Sequence, residues 1–278
     1  MTDASGNNAR GRVGGRGDDE DPSLYPLPDR RRIWGGALPF LKGQWLTRFL
    51  VKLVFSVFRN KLVSVRGLDH VLNHRGAFIL VLNHSQALEV LLVPALLFFA
   101  RGGKRVHFMA DWNYRMIPLV DVFYRCGQVI TLTRKPAKPL FLDFMRPWFA
   151  EKVAPYERAA ELLRGGAAVG IFPEGTINRG REYLLKGYSG AAQLSLSTGC
   201  SLVPCGIRFP RLSISCNRIP ELSEMELEFG APLVPPARQD EPSLEAVRGW
   251  HSVMMTALAE LSGKRWVQTS SRRVQKDA

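Results

Sequence analysis

The sequence lacks the features that mark a disulfide-stapled or membrane-spanning protein. Only four of its 278 residues are cysteine, and a chain of this length buries enough surface to fold without disulfide bonds. No apolar run reaches the length of about 18–20 residues that a transmembrane helix needs. The chain also opens without an apolar stretch, which predicts that it has no signal peptide. The sequence therefore favours one sizeable domain with tails, in a reducing compartment.

Patterns typical of metal sites are missing as well. The four cysteines do not form the close-spaced pairs that hold zinc, so we interpret them as small buried residues or incidental thiols. The five histidines do not cluster, and the acidic residues are scattered along the chain. We therefore predict no metal and no bound cofactor.

The net charge of +13 comes mainly from the amino-terminal half of the chain. Residues 33–135 carry fourteen basic and four acidic groups, whereas residues 1–32 are balanced. This excess of positive charge predicts an anionic partner, which is either membrane lipid or nucleic acid. The sequence contains no recognised nucleic-acid-binding module, so we do not expect a nucleic-acid partner.

A basic amphipathic helix is predicted over residues 38–60. The segment reads LPFLKGQWLTRFLVKLVFSVFRN, in which apolar and aromatic residues recur at helical spacing with basic residues between them. Such a helix is typical of a membrane interface. The same pattern equally fits a helix that packs on the domain, and the segment alone does not choose between the two.

The chain divides into four parts. Residues 1–32 have almost no large apolar groups, which predicts a disordered tail. Residues 33–62 contain the amphipathic helix, and residues 63–235 form the main domain. Residues 236–278 contain a closing amphipathic helix and a basic tail.

Short apolar strands alternate with helices in the main domain. Ala77–Leu82 is a continuous apolar run of strand length, as in a strand buried on both faces. The apolar stretch 87–100 is too long for a typical strand, so we predict a buried helix there. The other predicted strands are 63–67, 106–110, 127–134, 167–172, 200–209 and 225–229. The other predicted helices are 113–124, 187–197 and 244–261, and residues 138–164 are predicted to be mostly helical with interruptions at Pro147 and Pro155. This order predicts an α/β fold with a largely parallel sheet flanked by helices.

Polar clusters follow three of the predicted strands. They are Asn83-His84, Arg134, and Glu174-Gly175-Thr176. In parallel sheets the functional groups gather at the carboxyl ends of the strands. We therefore expect these clusters to lie along one edge of the sheet.

His84 and Glu89 form a candidate catalytic pair. Five helical residues turn through about 500°, so the two side chains meet only if His84 lies on the turn before the helix. Glu89 is the sole charge between residues 87 and 100, and an ionised carboxylate among leucines and valines needs a partner. A carboxylate on one imidazole nitrogen fixes the tautomer and raises the basicity of the other nitrogen. The alternative is a buried His–Glu pair that only stabilises the turn.

The blocks around these residues resemble those of the PlsC-type glycerolipid (lysophosphatidate) acyltransferases. Residues 83–89, Asn-His-Ser-Gln-Ala-Leu-Glu, resemble the His-x4-Asp block of that family, with glutamate in place of aspartate. Residues 127–134 resemble its second block, Phe172–Thr176 its third and Val203–Ile207 its fourth. The resemblance covers about residues 63–235, which we therefore interpret as an acyltransferase domain.

This resemblance implies a mechanism and residue roles. In the family a histidine deprotonates an acceptor hydroxyl, which attacks the thioester of acyl-CoA or acyl-carrier protein. Carried over, His84 is the general base and Glu89 orients it. The other residues matching the family's motifs would bind the acceptor, with Arg134, Arg179 and Lys186 at its phosphate and Glu174, Gly175 and Thr176 shaping its site.

The resemblance thus implies a membrane-associated O-acyltransferase that acylates a lysophospholipid in phospholipid biosynthesis or remodelling. Its partners would be the lysophospholipid acceptor, an acyl-CoA or acyl-carrier-protein donor, and an anionic membrane surface. It would be a peripheral (monotopic) membrane protein on the cytoplasmic face.

Three departures from the family's motifs keep alternatives open. Glu89 stands where most of the family has aspartate, and Ile177 stands where it often has arginine. The predicted strand 127–134 is one residue longer than usual, which affects the placement of Arg134. The alternatives are a non-catalytic membrane-binding protein on the acyltransferase fold, or an acyltransferase for another lipid acceptor.

Overall fold

The computed structural model describes residues 21, 23–150, 152–213 and 216–268. These residues form a seven-stranded sheet in the order β1-β7-β6-β2-β5-β3-β4. The strands are β1 (Leu62–Arg66), β2 (Phe78–Leu82), β3 (Val106–Asp111), β4 (Ile130–Leu132), β5 (Ala168–Ile171), β6 (Ser201–Arg208) and β7 (Met225–Phe229). Five strands, from β6 to β4 in the sheet order, run parallel. Because β7 pairs antiparallel with β6 and parallel with β1, β7 and β1 run the other way. The prediction of a largely parallel sheet is confirmed.

Helices connect most of the strands. They are α1 (Arg30–Gly35), α2 (Trp45–Phe58), α3 (Asp69–Leu72), α4 (Glu89–Ala100), α5 (Pro118–Gly127), α6 (Arg146–Phe149), α7 (Pro155–Arg164), α8 (Gly190–Thr198) and α9 (Leu244–Ser262). Four short 3-10 helices, Pro39–Leu41, Arg59–Lys61, Trp112–Met116 and Leu140–Met145, complete the described elements.

The central strand β2 is buried on both faces, as its unbroken apolar sequence predicts. Successive strand residues point to opposite faces, so Phe78, Leu80 and Leu82 pack in one cluster with residues of α2 and α4. Ile79 and Val81 pack in a second cluster with residues of α7, α8 and α9. The helices therefore cover both faces of the sheet, and the edge at the carboxyl ends of the parallel strands is where a site can form.

The first described residues differ from the expected disordered tail. Tyr25 donates its backbone N–H to the carbonyl of Val65 at the edge strand β1 (2.8 Å), and Tyr25 and Leu27 pack against the hydrophobic core. Asp29 caps the start of α1 by accepting a hydrogen bond from the backbone of Arg32 (2.7 Å). A few apolar residues late in this segment suffice to hold it on the domain. The rest of the predicted tail, residues 1–20 and 22, lies outside the described residues.

Two predicted elements are shorter than expected. The helix predicted over 38–60 is confined to α2, because Gly43 takes a positive φ of 78° and interrupts the chain before it. The strand predicted over 127–134 is confined to β4, because Gly127 still belongs to α5 and Gln128 ends that helix in the left-handed region. Among the described residues, no helix has both the length and the apolar character needed to cross a bilayer.

Candidate active site

His84 lies on the turn between β2 and α4, at the carboxyl edge of the sheet. Its Nδ1 lies 2.9 Å from Oε2 of Glu89, the first residue of α4. Residues 85–88 make the turn, so the two side chains meet across the start of the helix. This is the arrangement that the five-residue spacing required. The ring of Phe172, which follows β5, packs against the imidazole with 4.6 Å between centroids.

The Glu89 carboxylate is buried and accepts hydrogen bonds at both oxygens. Besides meeting His84, Oε2 accepts from the backbone N–H of Ser85 (2.8 Å), and Oε1 accepts from that of Gln86 (3.2 Å). Burial raises the pKa of the Glu89 carboxyl, and the hydrogen bond and charge of His84 and the two backbone N–H groups oppose this rise. The carboxylate thus fixes the Nδ1 side of the imidazole, and Nε2 is the nitrogen left for a substrate.

The turn itself is fastened to the neighbouring strand. Asn83 is buried, and its side-chain amide both accepts from the backbone N–H of Ile207 (2.7 Å) and donates to the carbonyl of Ile207 (3.0 Å). This pair of bonds continues the contact between β2 and β6 beyond the end of β2. An asparagine directly after the strand therefore determines where the turn begins.

Glu174 joins three segments of the site. Its Oε1 accepts from the backbone N–H of His84 (3.0 Å). Its Oε2 accepts from the side chain of Asn178 (2.7 Å) and from the backbone N–H of Leu185 (2.9 Å). Glu174 is buried, so it shapes the site by positioning the His84 turn rather than by presenting a free carboxylate.

The serine beside the histidine is not exposed to a substrate. Ser85 is buried, and its hydroxyl accepts a hydrogen bond from the amine of Lys264 (3.0 Å). A histidine with an orienting carboxylate normally activates a hydroxyl or thiol nucleophile. Because the adjacent protein hydroxyl is occupied, this arrangement suits a hydroxyl supplied by the substrate.

Comparison with known proteins agrees with this chemistry. The acyltransferase family profile matches residues 62–208, which is more than half of the chain. The chain belongs to the acyltransferase family. The fold is similar to the crystal structure of the 1-acyl-sn-glycerophosphate (LPA) acyltransferase PlsC from Thermotoga maritima, with 19% sequence identity and a TM-score of 0.52. That match covers 81% of this chain and 82% of the PlsC chain. The search of curated proteins gave no match.

Three of the residues predicted to bind the acceptor, Arg134, Gly175 and Thr176, follow strands β4 and β5 at the carboxyl edge of the sheet. Arg134 is exposed, two residues after β4. Its neighbour Lys135 donates to the carbonyl of Gly175 (2.7 Å), which links this strand end to the third sequence block. Gly175 itself takes a positive φ of 67°, and a Cβ there would lie 2.5 Å from the ring of Tyr188. Thr176 is exposed beside it.

Arg179 and Lys186 differ in what they offer to a ligand. The Arg179 guanidinium pairs with Glu221, and the same glutamate accepts from the backbone N–H of Ala87 (3.0 Å). The amine of Lys186 is on an exposed residue, whereas its carbonyl accepts a hydrogen bond from the indole of Trp266 (3.3 Å). The structure connects Arg179 through Glu221 to the turn that carries His84, and it does not bring Lys186 into contact with His84 or Glu89.

No sequence pattern indicated Lys264, which the structure places beside the turn of the His84–Glu89 pair. Lys264 follows α9 and is buried, with its amine donating to Ser85 and to the carbonyl of Gly180 (2.7 Å). Burial lowers the pKa of Lys264, and the charges of Glu174 and Glu89 oppose this fall. A lysine 179 positions from Ser85 in sequence leaves no spacing signal, so only the tertiary structure reveals it.

Proposed function

We propose that this acyltransferase moves a fatty acyl group from a thioester donor, acyl-CoA or acyl-carrier protein, to a lysophospholipid hydroxyl at a membrane surface. The observation that carries the proposal is the His84–Glu89 pair, 2.9 Å apart at the carboxyl edge of the sheet, beside a serine whose hydroxyl is buried. The PlsC structure with the similar fold belongs to an enzyme named for a lysophosphatidate acceptor, which supports the same class of acceptor here.

The proposed reaction needs one base and no covalent enzyme intermediate. Nε2 of His84 takes the proton of the acceptor hydroxyl as its oxygen attacks the thioester carbonyl carbon. The new ester C–O bond forms and the C–S bond breaks, and the imidazolium returns the proton to the departing thiolate. Glu89 stabilises the imidazolium and holds its orientation throughout.

The headgroup of the acceptor is the open part of the proposal. Ile177 removes one cationic side chain from the family's third motif, and Glu221 already neutralises part of the charge of Arg179. A phosphate monoester carries more negative charge than a phosphodiester and therefore gains more from free guanidinium groups. Lysolipids with phosphodiester headgroups thus belong beside lysophosphatidate among the candidate acceptors.

The surface of α2 supports the membrane part of the proposal. Leu50, Val54 and Phe55 are buried, and α2 packs against α4. The opposite face exposes Trp45, Leu46, Phe49, Leu53 and Val57. An aromatic apolar face with basic neighbours is suited to the boundary between headgroups and acyl chains.

The decisive experiment measures free thiol release from acyl-CoA and from acyl-carrier protein with a panel of lysophospholipids in detergent micelles. Turnover that depends on one lysolipid would support the proposal and identify its acceptor. Binding of lysolipids without thiol release from either donor would instead indicate a non-catalytic lipid-binding protein on this fold.

Replacing Trp45, Phe49 and Val57 together by serine is expected to weaken binding to anionic vesicles at least about 100-fold. These side chains are exposed, and withdrawing each from an apolar phase costs at least about 1 kcal/mol. Vesicle sedimentation measures the change. Point variants are preferable to deletion of the amino-terminal region, because Ile33, Val54 and Phe55 belong to the core.

The matched control replaces Val234 and Leu244 by serine, since both are apolar and exposed elsewhere on the protein. It is expected to bind vesicles as the wild type does. Equal vesicle binding by the α2 variant and this control would show that α2 does not contact the membrane.

A further inference from the structure

A second exposed apolar surface lies between β4 and α7. We call Leu140–Phe149 the aromatic segment. Four of its large apolar side chains, Leu140, Phe141, Phe144 and Trp148, are between 64% and 75% exposed. Exposed apolar groups are ordinary when scattered, but a contiguous set of this size marks an interaction surface.

The aromatic segment is fastened to the domain from behind. The ring of Phe149 packs on Trp112 with 5.7 Å between centroids and lies under the guanidinium of Arg115 at 5.4 Å. Asp143 accepts from the backbone N–H of Ala137 (2.8 Å). The four outward side chains are therefore presented by an anchored backbone.

Its position relates the aromatic segment to the catalytic site. It follows β4, whose carboxyl end lies on the same edge of the sheet as His84. Lys135, at the start of this connection, donates to the carbonyl of Gly175 (2.7 Å), and the indole of Trp112 donates to the carbonyl of Lys135 (2.9 Å). Contacts made by the segment would thus be made close to the third sequence block.

The aromatic segment lies in a basic stretch of the chain. Residues 134–152 contain five Lys and Arg residues against two Asp and Glu residues. We propose that the aromatic segment is a second membrane contact, in which the apolar side chains insert between the headgroups of an anionic bilayer and the basic residues meet the lipid phosphates. This proposal rests on the proposed function, because a lipid acceptor would then enter the site from the same bilayer.

The exposed side chains of the aromatic segment favour a bilayer over a protein as its partner. An acidic carrier protein would be held chiefly by ion pairs to the basic residues, yet Lys135 and Arg146 are already in ion pairs within this protein. A bilayer accepts both the basic rim and the apolar centre. An acidic protein and a second copy of this chain are the alternative partners, and the test below distinguishes them from a bilayer.

The test replaces Phe141, Phe144 and Trp148 by serine in the full chain and measures sedimentation with vesicles of phosphatidylcholine and phosphatidylglycerol in equal parts. Binding is expected to fall at least about tenfold, whereas the control variant at Val234 and Leu244 binds normally. Turnover of a lysolipid kept below its micelle concentration is expected to stay at the wild-type level. Unchanged vesicle binding would overturn the proposal. A variant that loses only binding to the carrier protein would show that the segment binds that protein instead, and a variant that loses only a dimer present in the wild type would show that it binds a second copy of this chain.

These readouts separate the two proposals. A wild-type protein without acyl transfer, whose vesicle binding still depends on the segment, would contradict the proposed function and leave the membrane contact standing. If the protein transfers acyl groups and binds vesicles equally with or without the three aromatic groups, the proposed function stands and the membrane contact is contradicted.

The buried cluster around Lys264 carries a second, independent inference. The Lys264 amine bridges Ser85, on the His84 turn, to the carbonyl of Gly180, which follows the third sequence block. Around this amine lie two buried carboxylates, Glu89 and Glu174. Two buried carboxylates with one buried ammonium cost less to keep ionised than two carboxylates alone.

We infer that Lys264 is a positioning residue whose charge keeps Glu89 ionised and whose hydrogen bond to Ser85 holds the turn of His84. Titratable groups from three elements interact with Glu89. They include His84 on the turn, Cys205 on β6 and Lys264 after α9. The Lys264 ammonium is a cation that does not depend on the protonation of His84, so it opposes protonation of Glu89 even while His84 is neutral.

Lys264→Gln tests the charge, because glutamine keeps N–H donors for Ser85 and Gly180. We expect kcat to fall about 10- to 100-fold, the value of one charge-assisted interaction, with KM for the acceptor unchanged. The acidic limb of the pH profile of kcat is expected to move to higher pH, because Glu89 then protonates more easily. Lys264→Arg, which retains the charge, is expected to restore the position of that limb.

The matched control is Arg208→Gln. Arg208 also ties the end of α9 to the sheet, through the carbonyl of Glu260 (3.0 Å), but its carboxylate partner is Glu228. If Lys264 were only structural, both variants would lose stability to urea and neither would shift the pH profile, which would overturn the inference. Failure of both Lys264 variants to fold would overturn it as well, because it would assign the lysine to the framework.

Discussion

Replacing His84 by alanine is expected to lower kcat for acyl transfer about 1,000-fold or more. The variant loses the nitrogen proposed to take the acceptor proton, and the adjacent hydroxyl of Ser85 is buried and bound to Lys264. Water remains the only competing base, and it is far weaker than an imidazole that Glu89 orients. Thiol release from the donor with saturating lysolipid measures the effect.

The fold should survive this substitution. The backbone of residue 84 still donates to Glu174 (3.0 Å) and accepts from Asn178 (2.7 Å). Glu89 keeps two of its three hydrogen bonds, so the free energy of unfolding is expected to fall by about 1–3 kcal/mol. Urea unfolding checks this, and vesicle binding should be unchanged.

His107→Ala is the matched control for the His84 variant. His107 is also a largely buried histidine, and its Nδ1 lies 3.1 Å from the carbonyl of Gln128. It lies near the start of β3, at the opposite edge of the sheet from His84. Acyl transfer is expected to persist in this variant. Comparable activity in both variants would exclude His84 as the base.

Replacing Glu89 by glutamine is expected to lower kcat by about 100- to 10,000-fold. The carboxylate accepts from the backbone of Ser85 at one oxygen and from that of Gln86 at the other, and it also meets His84. An amide places an NH2 group where one of these donors points, so a buried donor is left without its acceptor. The imidazole also loses the negative charge that stabilises its protonated form.

Glu89→Asp separates charge from reach. Aspartate keeps the carboxylate but withdraws it by about 1.5 Å, the length of one methylene. We expect its activity to lie between that of the wild type and that of the glutamine variant. An aspartate variant as inactive as the glutamine variant would mean that position, and not charge, controls the histidine.

The pH profile gives an independent check on Glu89. Burial raises the pKa of this carboxyl above that of a free glutamate, against the opposing hydrogen bonds. Because the ionised form orients His84, kcat/KM of the wild type should fall on the acidic side at a higher pH than for an ordinary carboxyl. The residual activity of Glu89→Gln should lack this dependence on Glu89.

Much of the fold follows from local sequence patterns. The apolar run 77–82 predicted a strand buried on both faces, and β2 is such a strand because helices cover the sheet on each side. Strand β7 has the bounds predicted for it, residues 225–229. The predicted element boundaries were wrong where a residue with positive φ interrupts the chain, as Gly43 does before α2 and Gln128 does after α5.

The five-residue spacing of His84 and Glu89 determined by itself that the two can meet only if His84 lies on the turn before the helix. The sequence motifs also determined the family. Only the tertiary structure decided what surrounds that pair. The bonds from Asn83 to Ile207 and from Lys264 to Ser85 join residues more than a hundred positions apart. Periodicity records which face of an element is apolar, whereas such polar contacts depend on how separate elements come together at one edge of the sheet.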